Sequence, residues 1–118
     1  MKRSQLGEHQ MLLLGWTSDN GDPDNMLNVL LGCAAAKDGA NRARWCYKPY
    51  DELMVRAKMA TSVAERAKLY EEAQQIAKEE APWIPIAHAV VFVATRKEVV
   101  NYKIDPFGGQ YYHQVDLQ

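Results

Sequence analysis

The chain has few of the features by which a small protein signals a chemical task. It lacks a surplus of positive charge: 14 Lys and Arg against 15 Asp and Glu leave a formal net charge of -1, and the two signs alternate along the chain. Such a balance gives no basic field to gather phosphates, which excludes nucleic acid as the expected partner. It also lacks a long hydrophobic run. The longest, residues 83–94, is interrupted by Pro85 and His88 and falls short of the roughly 20 residues that a membrane-spanning helix needs, so no direct membrane insertion is expected. The amino end, MKRSQLGEHQ, is polar and passes into only a short apolar stretch, which does not read as a signal peptide.

Cysteine is equally sparse. Cys33 and Cys46 are the two present, and their spacing, without a second pair or close His partners, fits neither a zinc knuckle nor a C-x-x-C redox motif. A disulfide and two free thiols are both compatible with that count. Ser4, Ser18 and Ser62 do not lie in G-x-S-x-G, and no glycine-rich phosphate cradle occurs. Asp19, Asp22 and Asp24 crowd one loop, but the acid, acid, Gly order of an EF-hand is missing. A hydrolytic carboxylate pair also fits poorly, because nothing on so short a loop would drive the two pKa values apart. No metal, cofactor or catalytic group is expected.

What is present suffices for one core: 118 residues, 47% hydrophobic and 25% charged. Residues 9–16, HQMLLLGW, form an apolar run ending in the turn-rich TSDNGDPDN, the pattern of a buried strand entering a loop. Pro23 suits the first turn of a short helix, with Asp22 as N-cap, Met26, Leu27, Leu30 and Leu31 as its apolar face, and Gly32 as its end. Residues 34–45 show no sustained period and read as an exposed excursion between the cysteines. Pro49 opens a second helix over residues 50–60 with Leu53, Met54 and Ala57 inward. Ser62 and Glu65 have capping-box spacing, and Ala67, Tyr70, Ala73, Ile76 and Ala77 mark the inner stripe of a third helix down to Glu80. The β-branched run at 83–95 predicts one long strand or two, and alternation over 110–117 predicts a terminal half-exposed strand after a turn at 105–109.

The densest functional signal is Gly15-Trp16-Thr17-Ser18-Asp19-Asn20-Gly21-Asp22-Pro23, an aromatic and an acid at the mouth of a buried strand. Loops at strand ends often bind ligands, and an acid beside an indole attracts a cationic group more strongly than it would in bulk water. Against this stands the plainer role of Asp19 and Asp22 as Asx-turn or helix-capping residues. His88, in an apolar run, reads as a hydrogen-bonded core or hinge histidine rather than a base.

Taken together, the segments GEHQMLLLGWTSDNGDPDN (7–25), RWCYKPYDEL (44–53), APWIPIAHAVVF from Ala81, TRKEVVNY and DPFGG resemble, in the same order, the C-terminal region of the family 5 solute-binding proteins that bind dipeptides for ABC importers. The resemblance implies an α/β fold class: the C-terminal part of a two-lobed periplasmic-binding-protein (class II) fold, a mixed sheet with helices packed on it. Residues 1–89 would belong to the second ligand-binding lobe, and residues 90–118 would cross the hinge to terminal strands of the first. It further implies a periplasmic location, a Cys33–Cys46 disulfide, a dipeptide ligand, and permease subunits as partners of the full-length protein. In the W-x-x-D pattern, here Trp16-Thr17-Ser18-Asp19, the acid pairs with the peptide α-ammonium, with Trp16, Thr17 and Ser18 lining the pocket. The Arg that receives the peptide carboxylate would lie upstream of this chain. Rival expectations are haem or an oligopeptide in the same pocket, with His88 or a Met as axial group for haem, and a small self-standing non-transport domain or enzyme with a free Cys46.

Overall fold

A computed structural model describes residues 2–118 and divides them into two compact units, one ending at Pro85 and the other running from Ile86 to Gln118. The first unit is helical: α1 (Lys2–Leu6), α2 (Pro23–Leu31), α3 (Cys33–Asp38), α4 (Lys48–Met59) and α5 (Val63–Glu80). The second holds β1 (Val99–Val100) and β2 (Asp116–Leu117), paired antiparallel with Val99 opposite Leu117.

The helices begin and end where local chemistry dictates. Pro23 opens α2 at a position whose N–H would be unpaired in any case, and the Asp22 carboxylate accepts from the Asp24 amide at 2.9 Å. Pro49 falls in the first turn of α4, and Ser62 caps α5 by accepting from the Glu65 amide. At its far end α5 stops on Ala81 in the left-handed region, φ 48°, ahead of Pro82, which cannot continue a helix.

The core joins α2, α4 and α5: Leu31, Tyr50, Leu53, Met54, Ala57, Leu69, Tyr70 and Ala73 are buried together, with Leu27, Trp45, Ile76, Ala77 and Trp83 packed against them. Ala57 and Ala73, both fully buried, leave room for α4 and α5 to approach. Each large apolar side chain taken out of water contributes roughly 1.5–3 kcal/mol. Tyr50 is fully buried but keeps its polar end satisfied, its hydroxyl donating to the Leu27 carbonyl at 2.9 Å while Trp45 packs edge-on against its ring. Burial pushes the Tyr50 phenol far above its ordinary value, and the charges of Asp24 and Asp51 push it the same way.

Several sequence expectations are corrected here. Residues 34–45 are not wholly irregular, because α3 forms inside them; it has no side-chain cap of its own, and its Cys33 amide is satisfied by Asp51 Oδ1 from α4 at 2.8 Å. Such a long-range cap leaves no local sequence signature. In α5 the inward residue is Leu69 rather than Ala67, which is exposed. The expected mixed sheet is absent among the described residues: residues 9–16 and 83–95 enter no β-ladder, and Met11 and Phe92 are 89% and 86% exposed. A strand exists only through a partner's hydrogen bonds, and these runs find none among the described residues. Within the first unit the helices pack on one another. Of the strand expected over 110–117, just Asp116 and Leu117 pair. The turn at 105–109 does form, with the Asp105 carboxylate accepting from the Phe107 and Gly109 amides.

Cys33 and Cys46 are joined in a disulfide with Cα atoms 4.5 Å apart. Inside the loop it closes, Asn41 is buried and its Nδ2 donates to the carbonyls of Gly32 (3.1 Å) and Trp45 (2.8 Å), one residue from each cysteine. No helix among the described residues is long and apolar enough to cross a membrane.

Candidate functional site

The segment 15–25 runs from the end of the extended stretch into the first turn of α2, so its geometry is set by how α2 starts. Gly21 takes φ +71°, a conformation that side-chain-bearing residues rarely adopt, and its amide donates to Ser18 Oγ at 3.0 Å. The Asp22 amide donates to Asn20 Oδ1 at 3.0 Å. These short-range bonds fold the chain back, so that Trp16 and Asp19 both face Asn25.

Asn25 is where they meet. Its Oδ1 accepts from the Trp16 indole N–H at 3.3 Å and from the Asp19 backbone amide at 3.1 Å, while its Nδ2 donates to Asp19 Oδ2 at 3.1 Å. One carboxamide thus orients both the ring and the carboxylate. Asp19 is exposed, as is Trp16 at 44%. Thr17 lies between them, exposed, and Ser18 serves the turn through its hydroxyl.

The three acids of the loop differ in their partners. Asp22 is held by Arg66 of α5 in a bidentate pair, Nη1 to Oδ2 and Nη2 to Oδ1, both at 2.9 Å. Arg66 also donates to the Tyr70 hydroxyl at 3.0 Å and, through Nε, to the Ala57 carbonyl at 3.2 Å. The hydrogen bond from Arg66, reinforced by the Asp24 amide, holds the Asp22 carboxyl below the usual carboxylate range, and the Asp22 bond in turn raises the Arg66 guanidinium. Asp24 meets Lys58 at 3.5 Å and accepts from Asn28 at 3.1 Å. Asp19 has no cation within ion-pair distance among the described residues. Of the three acids in the loop, it is the one without a cationic partner among the described residues.

The structure therefore brings Trp16, Ser18 and Asp19 together on one loop. His88 lies exposed in the second unit, within the unpaired run that follows Pro85. Sequence reasoning missed Asn25 and Arg66. Asn25 closes the motif DPDN but has no spacing rule that marks it, and Arg66 was hidden among the alternating charges of what reads as a solvated helix face.

No family model matches the chain. It is 53% identical over 106 residues to di/tripeptide-binding protein 4 of Pseudomonas aeruginosa, a match covering 90% of this chain and 20% of that protein. It is 41% identical over 116 residues to heme-binding protein A of Haemophilus influenzae, covering 98% of this chain and 21% of that one. Among solved structures, the dipeptide binding protein of a Pseudoalteromonas species in complex with Met-Leu superposes with a TM-score of 0.84 at 35% identity, over 99% of this chain and 23% of that one. These relatives are binding proteins, not enzymes, and the chain spans about a fifth of their length. In sequence and in fold, this chain is similar to a segment, about a fifth of the length, of peptide-binding proteins.

Proposed function

We propose that this chain forms part of the dipeptide-binding subunit of an ABC importer and supplies the acidic anchor for the peptide α-ammonium. The observation that carries the reading is the pairing pattern of the loop: Asp22 and Asp24 are met by Arg66 and Lys58, whereas Asp19 is oriented by a neutral amide and meets no cation among the described residues. An ammonium about 4 Å from such a carboxylate gains about 4 kcal/mol at an effective dielectric near 20, against about 1 kcal/mol in bulk water. Closure of the first lobe over the loop would move the pair from the second regime toward the first. Trp16 would then pack on the ligand backbone, with Thr17 and Ser18 beside it. A carboxylate-binding Arg elsewhere in the longer protein would complete a two-charge clamp, and its fixed span would select dipeptides by length.

On this reading residues 1–89 lie in the second lobe and residues 90–118 cross the hinge to the first. A compact unit ending at Pro85 supports that division, and the largely exposed apolar runs at 9–16 and 84–95 would become strands of a mixed sheet by pairing with the rest of the longer protein. Permease subunits are the partners that receive the loaded protein.

Calorimetric titration of Met-Leu and N-acetyl-Met-Leu into the full-length protein and its Asp19→Asn variant tests the anchor. Acetylation and the substitution are each expected to cost about 2–5 kcal/mol, the scale of a charge left buried without its partner. Equal binding of the free and acetylated peptides would remove Asp19 from the site. A second reading, haem, follows from the relative named for it. An axial bond from His88 or a Met would give a Soret shift on mixing with haemin, and an unchanged haemin spectrum would dismiss it.

A further inference from the structure

The Asp19 carboxylate is exposed and sits on a loop, yet an anchor for a ligand charge is useful only if it points one way. A free Asp side chain turns about two bonds, and that freedom would have to be lost on every binding event. Three hydrogen bonds address this, and all three end on one residue. Asn25 Nδ2 holds Asp19 Oδ2 at 3.1 Å, Asn25 Oδ1 holds the Asp19 amide at 3.1 Å, and the same oxygen holds the Trp16 indole N–H at 3.3 Å. With Oδ2 partly committed to Asn25, Oδ1 is the oxygen that accepts no hydrogen bond among the described residues.

Asn25 is itself fixed from behind. It lies in the first turn of α2, half-buried, and its amide donates to the Asp22 carbonyl at 3.1 Å. The Asp22 side chain is clamped to α5 by the bidentate Arg66 pair. A rigid connection therefore runs from α5 through Asp22 and the start of α2 to the Asn25 carboxamide. Because that carboxamide donates to one group and accepts from two others, its orientation is determined by the hydrogen-bond network and cannot be reversed without losing all three bonds.

We propose that Asn25 is the positioning residue of the ligand site, locking the Trp16 indole and the Asp19 carboxylate to each other so that the peptide ammonium meets a preset oxygen. This inference rests on the reading of Asp19 as the ammonium anchor. Asn25 acts through Asp19 and need not touch the ligand. It follows that its loss should weaken recognition of the ammonium specifically, rather than binding in general.

The test titrates Met-Leu and N-acetyl-Met-Leu into the full-length protein carrying Asn25→Ala, Asn25→Asp, Asp19→Asn, or Asp19→Asn with Asn25→Ala. Asn25→Ala is expected to weaken Met-Leu binding by roughly tenfold to a hundredfold, the range for one hydrogen bond to a charged group, with little change for the acetylated peptide. Asn25→Asp keeps the acceptor oxygen but sets a second carboxylate against Asp19 Oδ2. It should lower affinity at neutral pH and recover part of it as the pH falls toward the carboxylate range. Added to Asp19→Asn, Asn25→Ala should cost almost nothing more, because the group it positions is gone. If Asp19→Asn abolishes discrimination against the acetylated peptide while Asn25→Ala retains it, the positioning role is wrong and the anchor stands. If Asn25→Ala weakens both peptides alike, or its effect adds in full to that of Asp19→Asn, Asn25 is merely structural. Should Asp19→Asn leave discrimination intact, the anchor falls and this inference falls with it.

Discussion

Replacing both Cys33 and Cys46 by Ser should destabilise the helical unit by an amount that follows from the length of loop the bridge closes. The cysteines are 13 positions apart, and the chain-entropy relation for a loop of that size gives about 3 kcal/mol at 25 °C through restriction of the unfolded state. The folded state should change little. Asn41 holds the carbonyls of Gly32 and Trp45 from inside the loop, and Asp51 holds the Cys33 amide, so both ends remain tied when the sulfur bond is gone. The assay is hydrogen exchange of the amides in α2, α3 and α4 in the full-length protein, read by mass spectrometry, because local opening is what the bridge opposes. A loss of about 3 kcal/mol accelerates exchange through that opening by roughly a hundredfold. Adding Asn41→Ala to the serine variant should destabilise it by more than in the wild type, since Asn41 is then the tie that still joins the two ends of the loop. Exchange within about threefold of the wild type would refute the reasoning, showing that the unfolded segment already holds these ends close.

Two further predictions concern the core and the charge network. Tyr50→Phe removes one buried hydrogen bond and should cost about 1 kcal/mol, whereas Tyr50→Ala leaves a cavity between α2 and α4 and should cost about 3–5 kcal/mol; chemical denaturation separates the two, and equal losses would mean that the hydroxyl carries the whole effect. For pH, the folded Asp22 carboxyl lies below its unfolded value of 3.8, so its contribution is present above that value and is lost as the pH falls through the folded value. Tyr50 acts in the opposite direction. Its phenol is raised from 10.0, giving stability that is complete below pH 10.0 and lost as the pH rises toward the folded value. Thermal denaturation across pH should therefore show an acid limb that Asp22→Asn flattens and an alkaline limb that Tyr50→Phe flattens; limbs unchanged in these variants would assign them to other groups.

Much of the helical architecture was legible because its determinants are local. Pro23 with Asp22, Pro49, Ser62 with Glu65, and Pro82 each act within a turn of their own position, and they placed α2, α4 and α5 to within a residue or two. The Asp19 loop was also legible as a candidate, since an aromatic and an acid among turn formers stand out in any reading. The start of α3 was not, because its cap, Asp51, comes from 18 residues away. Nor was the failure of residues 9–16 and 83–95 to pair, since β-propensity describes a residue's fitness for a sheet and is silent on whether a partner strand is available.

By itself, the sequence determined where helices start and stop, which of their faces is apolar, and that one loop gathers three acids beside a tryptophan. These follow from neighbouring residues and from the helical period. Tertiary structure alone decided which acid is free. Arg66 reaches Asp22 across 44 positions and Lys58 reaches Asp24 across 34, so the docking of α4 and α5 against the start of α2 neutralises two charges of the loop and leaves Asp19, braced by Asn25, facing outward. Charge pairing of this kind depends on distance in space, which is set only once the helices have packed.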